Sequence, residues 1–335
     1  MKQLVGPDVG RYGLTLLDLS DMKNPRYAEY NGNQQQNPGS VGKIVVATAL
    51  FQALADAYPD DLEARRRVLR ETRVTADDFI IHDSHNVKFW DPGTQKLSRR
   101  PIQIGDGASL WEFVDWMMSP SSNAAASVVI KQAMLLNNFG RGYPLSDIKT
   151  TEFFDQTSPS VLGKLLVGTL QSPLQRSGID LSGLRQGSFF TKTGKRRVPG
   201  TTSHATSRGL MTYLLRLEQG MIVDEFSSRE IKRLLYMTER RIRYASSPAL
   251  NEAAVYFKSG SLYKCEPEPG FVCLKYHGNK QNLMHSVAIV ESTAADRRLY
   301  YFVALVSNVL RKNSAVDHQT LATRIHRLIE AAHAE

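Results

Sequence analysis

The sequence predicts an α/β (α+β) chain in which one sheet is built from both ends and a helical lobe fills the middle. Three observations predict this. Two strand-like runs open the chain, three β-rich runs follow one another near its end, and the stretch from about 60 to 175 reads as helical and irregular. The 335 residues are about two domains' worth at ~150 residues each, and one large α/β unit also fits. We read residues 1–335 as one unit, with a sheet lobe from 1–58 and 245–335 and a helical lobe from 59–244.

The run from Gly13 to Leu19 is a strand by its alternating apolar residues, and Arg26 to Gly32 is a second, after a turn at Asn24-Pro25. A polar stretch from Asn33 to Gly39 leads into Ser40. From there to about Tyr58, Ala47, Leu50, Phe51, Leu54, Ala55 and Tyr58 recur on one helical stripe. Within the middle, Trp111–Met118 and Ala124–Leu136 are the clearest helices, and Thr206–Gly220 and Ser227–Arg243 read as two more. The pattern then turns β-rich at Ala253–Phe257, Ser286–Val290 and Leu299–Val306. A final amphipathic helix runs from about Ala315 to Ala332, with Leu321, Ile325, Leu328 and Ile329 as its apolar face. There is no internal repeat at a fixed period.

Hydrophobic residues at 42% and charged residues at 22% are ordinary for a folded chain and exclude disorder. Glycine (23) and proline (14) are too few for a collagenous or low-complexity chain. Lys+Arg 42 against Asp+Glu 33 leaves +9, which favours anionic surroundings. The basic clusters Arg65-Arg66-Arg67, Arg196-Arg197 and Arg240-Arg241-Arg243 lie far apart with acids between them, so they read as solvated surface and not as a nucleic-acid-binding patch. No apolar run approaches the ~18–20 residues that span a membrane. The start, Met1 to Asp8, has a lysine but no apolar core of a signal peptide, so a cytosolic protein or a mature form with an added start methionine is expected. Cys265 and Cys273 flank one short segment; a disulfide in an oxidising compartment and two buried thiols fit equally.

Three short motifs carry chemistry. In Ser40-Val41-Gly42-Lys43, a serine and a lysine three apart share a helical face, so the amine can act on the hydroxyl. Burial and the helix N-terminus would both favour a neutral amine there. In Ser121-Ser122-Asn123, ahead of Ala124-Ala125-Ala126-Ser127, a serine and an asparagine two apart can point into one cleft, one relaying a proton and the other holding an amide. In Lys258-Ser259-Gly260-Ser261, directly after the strand ending at Phe257, the lysine sets a fixed charge, the hydroxyl binds a carboxylate and the glycine permits close backbone approach. The amides of Ser40 and Ser261 would then form an oxyanion hole.

A helix-initial S-x-x-K, a helix-initial S-x-N and a strand-borne K-[ST]-G, in that order, resemble the penicillin-binding protein and serine β-lactamase superfamily. The resemblance covers roughly Gly13 to Ala332 and is nearest in layout to class A β-lactamase-like hydrolases. Thr201 to Leu210 is similar to the threonine-rich helix start of that class. Ser121 to Ala126 is similar to its S-D-N-T-A-A, with Ser122 in place of the aspartate. The resemblance implies a β-lactamase/transpeptidase-like fold, an antiparallel sheet flanked by helices plus an all-helical lobe, with the cleft between them. It implies Ser40 as the acylated nucleophile, Lys43 as its general base or proton relay, and Ser121 as the donor to the leaving nitrogen. Asn123 would hold the substrate's amide side chain. Lys258 and Ser259, with Gly260 and Ser261 beside them, would bind a carboxylate. No metal and no organic cofactor are implied. The partner would be a small-molecule or peptide substrate with a carboxylate, a β-lactam or D-Ala-D-Ala type, which places the mature protein in the periplasm or outside the cell.

Lys192-Thr193-Gly194 fits K-T-G more literally, but Lys195 to Gly200 after it cannot continue a central strand, and it precedes the threonine-rich helix; Lys258 is preferred. Class A enzymes deacylate with a glutamate in an E-x-x-x-N loop. Here Leu184 to Lys192 contains no carboxylate, and Glu152 and Asp155, with no asparagine at the right spacing, read as loop or cap acids. The expected chemistry is therefore an acyl-enzyme that persists or turns over slowly, as in a penicillin-binding or D,D-peptidase-like protein. A catalytically silent or covalent sensor on the same fold is the alternative. His82-Asp83-Ser84-His85 offers two imidazoles three apart, but a metal site needs a third ligand, and a loop with two exposed histidines is the better reading. No G-x-S-x-G elbow supports a Ser-His-Asp hydrolase.

Overall fold

The computed structural model describes residues 2–81, 83–239, 241–294 and 297–334. Its strands are β1 (Tyr12–Asp18), β2 (Arg26–Tyr30), β3 (Arg73–Thr75), β4 (Asn86–Asp91), β5 (Lys96–Pro101), β6 (Gly107–Ser109), β7 (Leu184–Arg185), β8 (His204–Ala205), β9 (Ala254–Lys264), β10 (Gln281–Ala294) and β11 (Arg297–Asn308). The α-helices are α1 (Lys2–Val5), α2 (Lys43–Ala57), α3 (Leu62–Glu71), α4 (Leu110–Met118), α5 (Asn123–Phe139), α6 (Asp147–Gln156), α7 (Pro159–Arg176), α8 (Lys192–Arg197), α9 (Ser207–Glu218), α10 (Glu225–Tyr236) and α11 (Ser314–Ala332).

The main sheet has five antiparallel strands in the order β2-β1-β11-β10-β9, so it does join the two ends of the chain. Side chains alternate across a strand, and here both faces are covered. Leu14, Ala288, Val290, Val303 and Leu305 pack with Leu321, Ile325 and Ile329 of α11. Val287, Ile289, Phe302, Ala304 and Val306 join the other core, which holds α2, α5 and α9. Double coverage explains why these strands read as continuous apolar runs rather than alternating ones.

Helix α2 is buried around nearly its whole circumference, from Lys43 through Leu54, instead of along one stripe. The stretch Gly39–Ala57 has a mean hydropathy of 1.3 over its membrane-length window, so one apolar run does approach spanning length. That window is 89% buried inside the fold, which makes it the core helix. Ser40 does not start the α-helix but sits in a 3-10 turn, Gly39–Gly42, ahead of it.

Other elements depart from the sequence reading. The middle is not purely helical: β4 and β5 form a hairpin, and β3 pairs with β6. The hairpin escaped because Trp90 and Leu97 face solvent and leave no apolar alternation. Its turn is marked only by Asp91, whose carboxylate accepts from Gly93 N and Thr94 Oγ1. Helix α10 stops at Tyr236, and Arg243, at φ +55°, lies in the left-handed region where a helix cannot continue. Strand β9 runs on to Lys264, so the Lys258-Ser259-Gly260 motif lies inside an edge strand and not after it. Leu328 is exposed, and His318 and His326 take buried places on α11 instead. Of the basic clusters, Arg65 is buried and pairs with Asp224, while Arg241 donates to the carbonyls of Leu250 and Ala253. Cys265 and Cys273 are joined as a disulfide across a Cα–Cα distance of 5.8 Å.

Candidate active site

The 3-10 turn that carries Ser40 packs directly on the backbone of β9. A Cβ on Gly260 would stand 2.3 Å from the carbonyl oxygen of Pro38 and 2.7 Å from the amide of Ser40. Gly39, at φ +52°, brings its own backbone to Ser261, whose amide would lie 3.2 Å from an added Cβ. Both positions favour glycine, and through them the backbone of the Ser40 turn packs directly on that of Gly260 and Ser261.

Lys43 enters from the first turn of α2 and is fully buried. Its Nζ lies 3.0 Å from Ser40 Oγ, 2.5 Å from the carbonyl of Ser121, 2.8 Å from Asn123 Oδ1 and 3.3 Å from Ser121 Oγ. Burial pushes this amine down to about 7; the negative charge of Asp83 works the other way, and Arg243 adds to the depression. Ser121 links α4 to α5 at φ +66°, a strained conformation for a serine. Ser122 caps α5 by accepting from Ala125 N. Lys258, from β9, donates to Ser121 Oγ at 2.7 Å. Burial first, then Lys43 and Arg243, hold its amine well below the ordinary lysine range.

All eight residues singled out by the motifs therefore meet. Ser40, Ser121, Asn123, Lys258, Ser259 and Ser261 line a cleft of about 900 Å³, with Lys43 beneath them and Gly260 at the turn contact. The motif Lys192-Thr193-Gly194 opens the short helix α8, away from the cleft lining. Glu152 and Asp155 lie on α6, exposed, with Asp155 paired to Arg197.

Two further residues were not legible in the motifs. Arg243, read as surface, lines the cleft. It donates to Ser259 Oγ (2.6 Å), Ser261 Oγ (3.1 Å) and the hydroxyl of Tyr276 (3.0 Å), whose ring lies 4.8 Å from the guanidinium. The side chain of Asp83 is tucked behind the Ser121–Asn123 loop, where it accepts from Ser122 Oγ and Ala124 N, each at 2.8 Å, and from His85 Nδ1 at 2.5 Å. Burial opposes its ionisation, but the hydrogen bonds from His85, Ala124 and Ser122 outweigh it and hold the carboxyl far below its usual range. His85 lines the cleft; His82 lies outside the described residues. Among the described residues no group of three or more His, Cys, Asp and Glu stands together as a metal site.

The segment from Leu184 to Lys192 passes Lys43 with an aromatic ring and not a carboxylate: the centre of Phe190 is 4.9 Å from Lys43 Nζ. Among the described residues no carboxylate is hydrogen-bonded to Ser40 or Lys43.

Solved structures share this architecture. PBP-A is similar at 15% identity over 98% of this chain and 94% of that one, with a TM-score of 0.59. The β-lactamase of Sphaerobacter thermophilus matches at 15% identity over 100% of this chain and 99% of that chain, also at 0.59. A class A β-lactamase representing the last common ancestor of Gram-negative bacteria matches at 18% over 98% and 96%, again at 0.59. At such identities the likeness fixes the fold alone, and no curated protein matches the chain. The sequence profile of the beta-lactamase enzyme family, however, matches residues 1–329, nearly the full length, and by that match the chain belongs to this family of serine hydrolases of the β-lactamase type.

Proposed function

We propose that the chain forms an acyl-enzyme on Ser40 with a β-lactam or an acyl-D-Ala-type amide and releases it slowly. The observation that carries this reading is the hydrogen-bond pattern of Lys43. A neutral amine has two N–H groups and one lone pair. The carbonyl of Ser121 and Oδ1 of Asn123 accept only, so they take both N–H groups and leave the lone pair for the hydroxyl of Ser40, 3.0 Å away. An amine pushed down to about 7 is substantially neutral at physiological pH.

Ser40 Oγ attacks the substrate carbonyl as its proton moves to Lys43, and the oxyanion sits between the amides of Ser40 and Ser261. Ser121, touched by both amines, passes a proton to the leaving nitrogen. Asn123, its Oδ1 engaged by Lys43, keeps its NH₂ group for the substrate's amide carbonyl. Lys258, Ser259 and Arg243 bind the substrate carboxylate, with Arg243 supplying the guanidinium fork that suits it. Deacylation needs a base beside the ester. Phe190 stands over Lys43 in the segment where class A enzymes carry their glutamate, which supports a penicillin-binding or D,D-peptidase-like activity over fast β-lactam hydrolysis. The same observation fits a covalent sensor, whose adduct would be its signal. The Cys265–Cys273 disulfide supports a periplasmic or extracellular site of action.

The test is peptide mapping after incubation with benzylpenicillin. The penicilloyl group is expected on the peptide containing Ser40, with none in Ser40→Ala. An unmodified wild-type chain, or an adduct that survives Ser40→Ala, would refute the reading.

A further inference from the structure

Position 122 carries a hydroxyl where the S-D-N pattern has a carboxylate, yet the space around it is not short of one. The side chain of Asp83, 3% exposed, lies against Ser122 from the segment that precedes β4. It receives four donors: Ser122 Oγ and Ala124 N at 2.8 Å, His85 N at 3.2 Å and His85 Nδ1 at 2.5 Å. Two of these, the Ser122 hydroxyl and the Ala124 amide, bracket Asn123, so both of its neighbours are tied to Asp83 while its own side chain reaches Lys43. Ser121, immediately before, holds φ +66°, and such strain persists only where the surroundings over-determine it. The carboxylate also faces the N-terminus of the 17-residue helix α5, where a negative charge is favoured.

We propose that Asp83 is a positioning residue of this active site: it supplies from outside the motif the carboxylate that position 122 lacks, and so locks the Ser121–Asn123 loop onto Lys43. Because a carboxylate only accepts, His85 Nδ1 carries a proton and donates it to Asp83, which fixes the ring at the edge of the cleft. The role rests on the acyl-enzyme reading above, since it acts through Lys43.

Charge makes the role measurable. The groups facing Lys43 are Ser121 and Asn123 from the α4–α5 loop, Lys258 from β9, Arg243 from the turn after α10, and the uncharged ring of Phe190, with Asp83 and His85 behind the loop. Of these only Asp83 brings a negative charge, and it holds the Lys43 midpoint up against burial and Arg243. Neutralising it lowers that midpoint; removing its geometry loosens Asn123 and Ser121.

The experiment compares the full chain with Asp83→Asn, Asp83→Ser and the double variant Asp83→Ser/Ser122→Asp. Two readouts are taken: the second-order rate of acylation by benzylpenicillin across pH, and the Lys43 midpoint by NMR of [ε-¹³C]lysine-labelled protein, its signal identified with Lys43→Met. Asp83→Asn, nearly isosteric and expected to fold, should lower the midpoint and slow acylation roughly tenfold or more, the scale of a misplaced reacting group. Moving the carboxylate to position 122 should return the rate to within a few-fold of wild type and restore the midpoint. An unmoved midpoint in Asp83→Asn, or a folded double variant as slow as Asp83→Ser, would overturn the proposal. If wild type takes up no penicillin, the acyl-enzyme reading fails, and the NMR midpoints alone still decide the position of Asp83.

Discussion

An amine with no exposed surface, with the Arg243 guanidinium adding to the cost of charging it, is an expensive thing to fold. Lowering Lys43 from 10.5 to about 7 corresponds to roughly 5 kcal/mol of lost stability at or below neutral pH, at 1.36 kcal/mol per unit. The sign is fixed by proton counting: between 7 and 10.5 the unfolded chain binds a proton that the folded chain does not, so this stability term rises with pH across that window. Two outcomes follow for the side chain. The acylation rate should climb with pH to about 7 and level off above it, because the neutral amine accepts the serine's proton. Lys43→Met should lose acylation yet unfold several degrees higher at pH 7, since an amine that loses proton affinity on folding gives way to an apolar chain of similar length. A lower melting temperature in Lys43→Met, or acylation that is flat with pH, would contradict this. Ser40, Lys43, Ser121, Asn123 and the Lys258–Ser261 run were legible in the sequence because each motif is local, set by the geometry of one turn or one strand. Arg243 and Asp83 were not. They reach the site through tertiary turns, and nothing in Arg240-Arg241-Arg243 or His82-Asp83-Ser84-His85 announces which way those turns face.

At the scale of elements, β10 and α11 bury histidines that the chemistry does not use. His285, opposite Gly260 in the β10–β9 register, donates from Nε2 to the carbonyl of Asn37 at 2.8 Å, and its Nδ1 has no partner among the described residues. Burial pushes it down to about 4. His318, on α11, bridges Ser286 and Ser307 at 2.9 Å each, tying the helix to two strands, and burial holds it well below its ordinary range. For both, the unfolded chain takes up a proton as pH falls through 6.5 while the folded chain resists. Stability present above 6.5 is therefore lost on the way down to 4, by about 3 kcal/mol from His285 alone. Urea unfolding at pH 7 and pH 4.5 checks this; His285→Gln should flatten the dependence, and a stability unchanged over that range would contradict it. The long strands and α11 were legible because apolar runs of that length have few alternatives. The β4–β5 hairpin and the full extent of β9 were not. Their residues are polar, and their pairing depends on a turn side chain or on a neighbouring strand.

At the scale of the molecule, the sheet joins residues 12–30 to residues 254–308, and the Ser40 turn closes on its edge strand β9. The chain between supplies Ser121 and Asn123 to that same edge, so the site exists only when distant parts of the sequence are assembled. Among the described residues no carboxylate is hydrogen-bonded to Ser40 or Lys43, and the ring of Phe190 lies beside Lys43. The central claim, acylation without efficient release, is tested most directly by following intact protein mass and hydrolysed benzylpenicillin together over time. The account predicts a penicilloyl adduct that forms quantitatively and outlasts many acylation half-times, with hydrolysed drug accumulating no faster than that slow release. An adduct that clears quickly while hydrolysed drug builds to many equivalents per chain would contradict it.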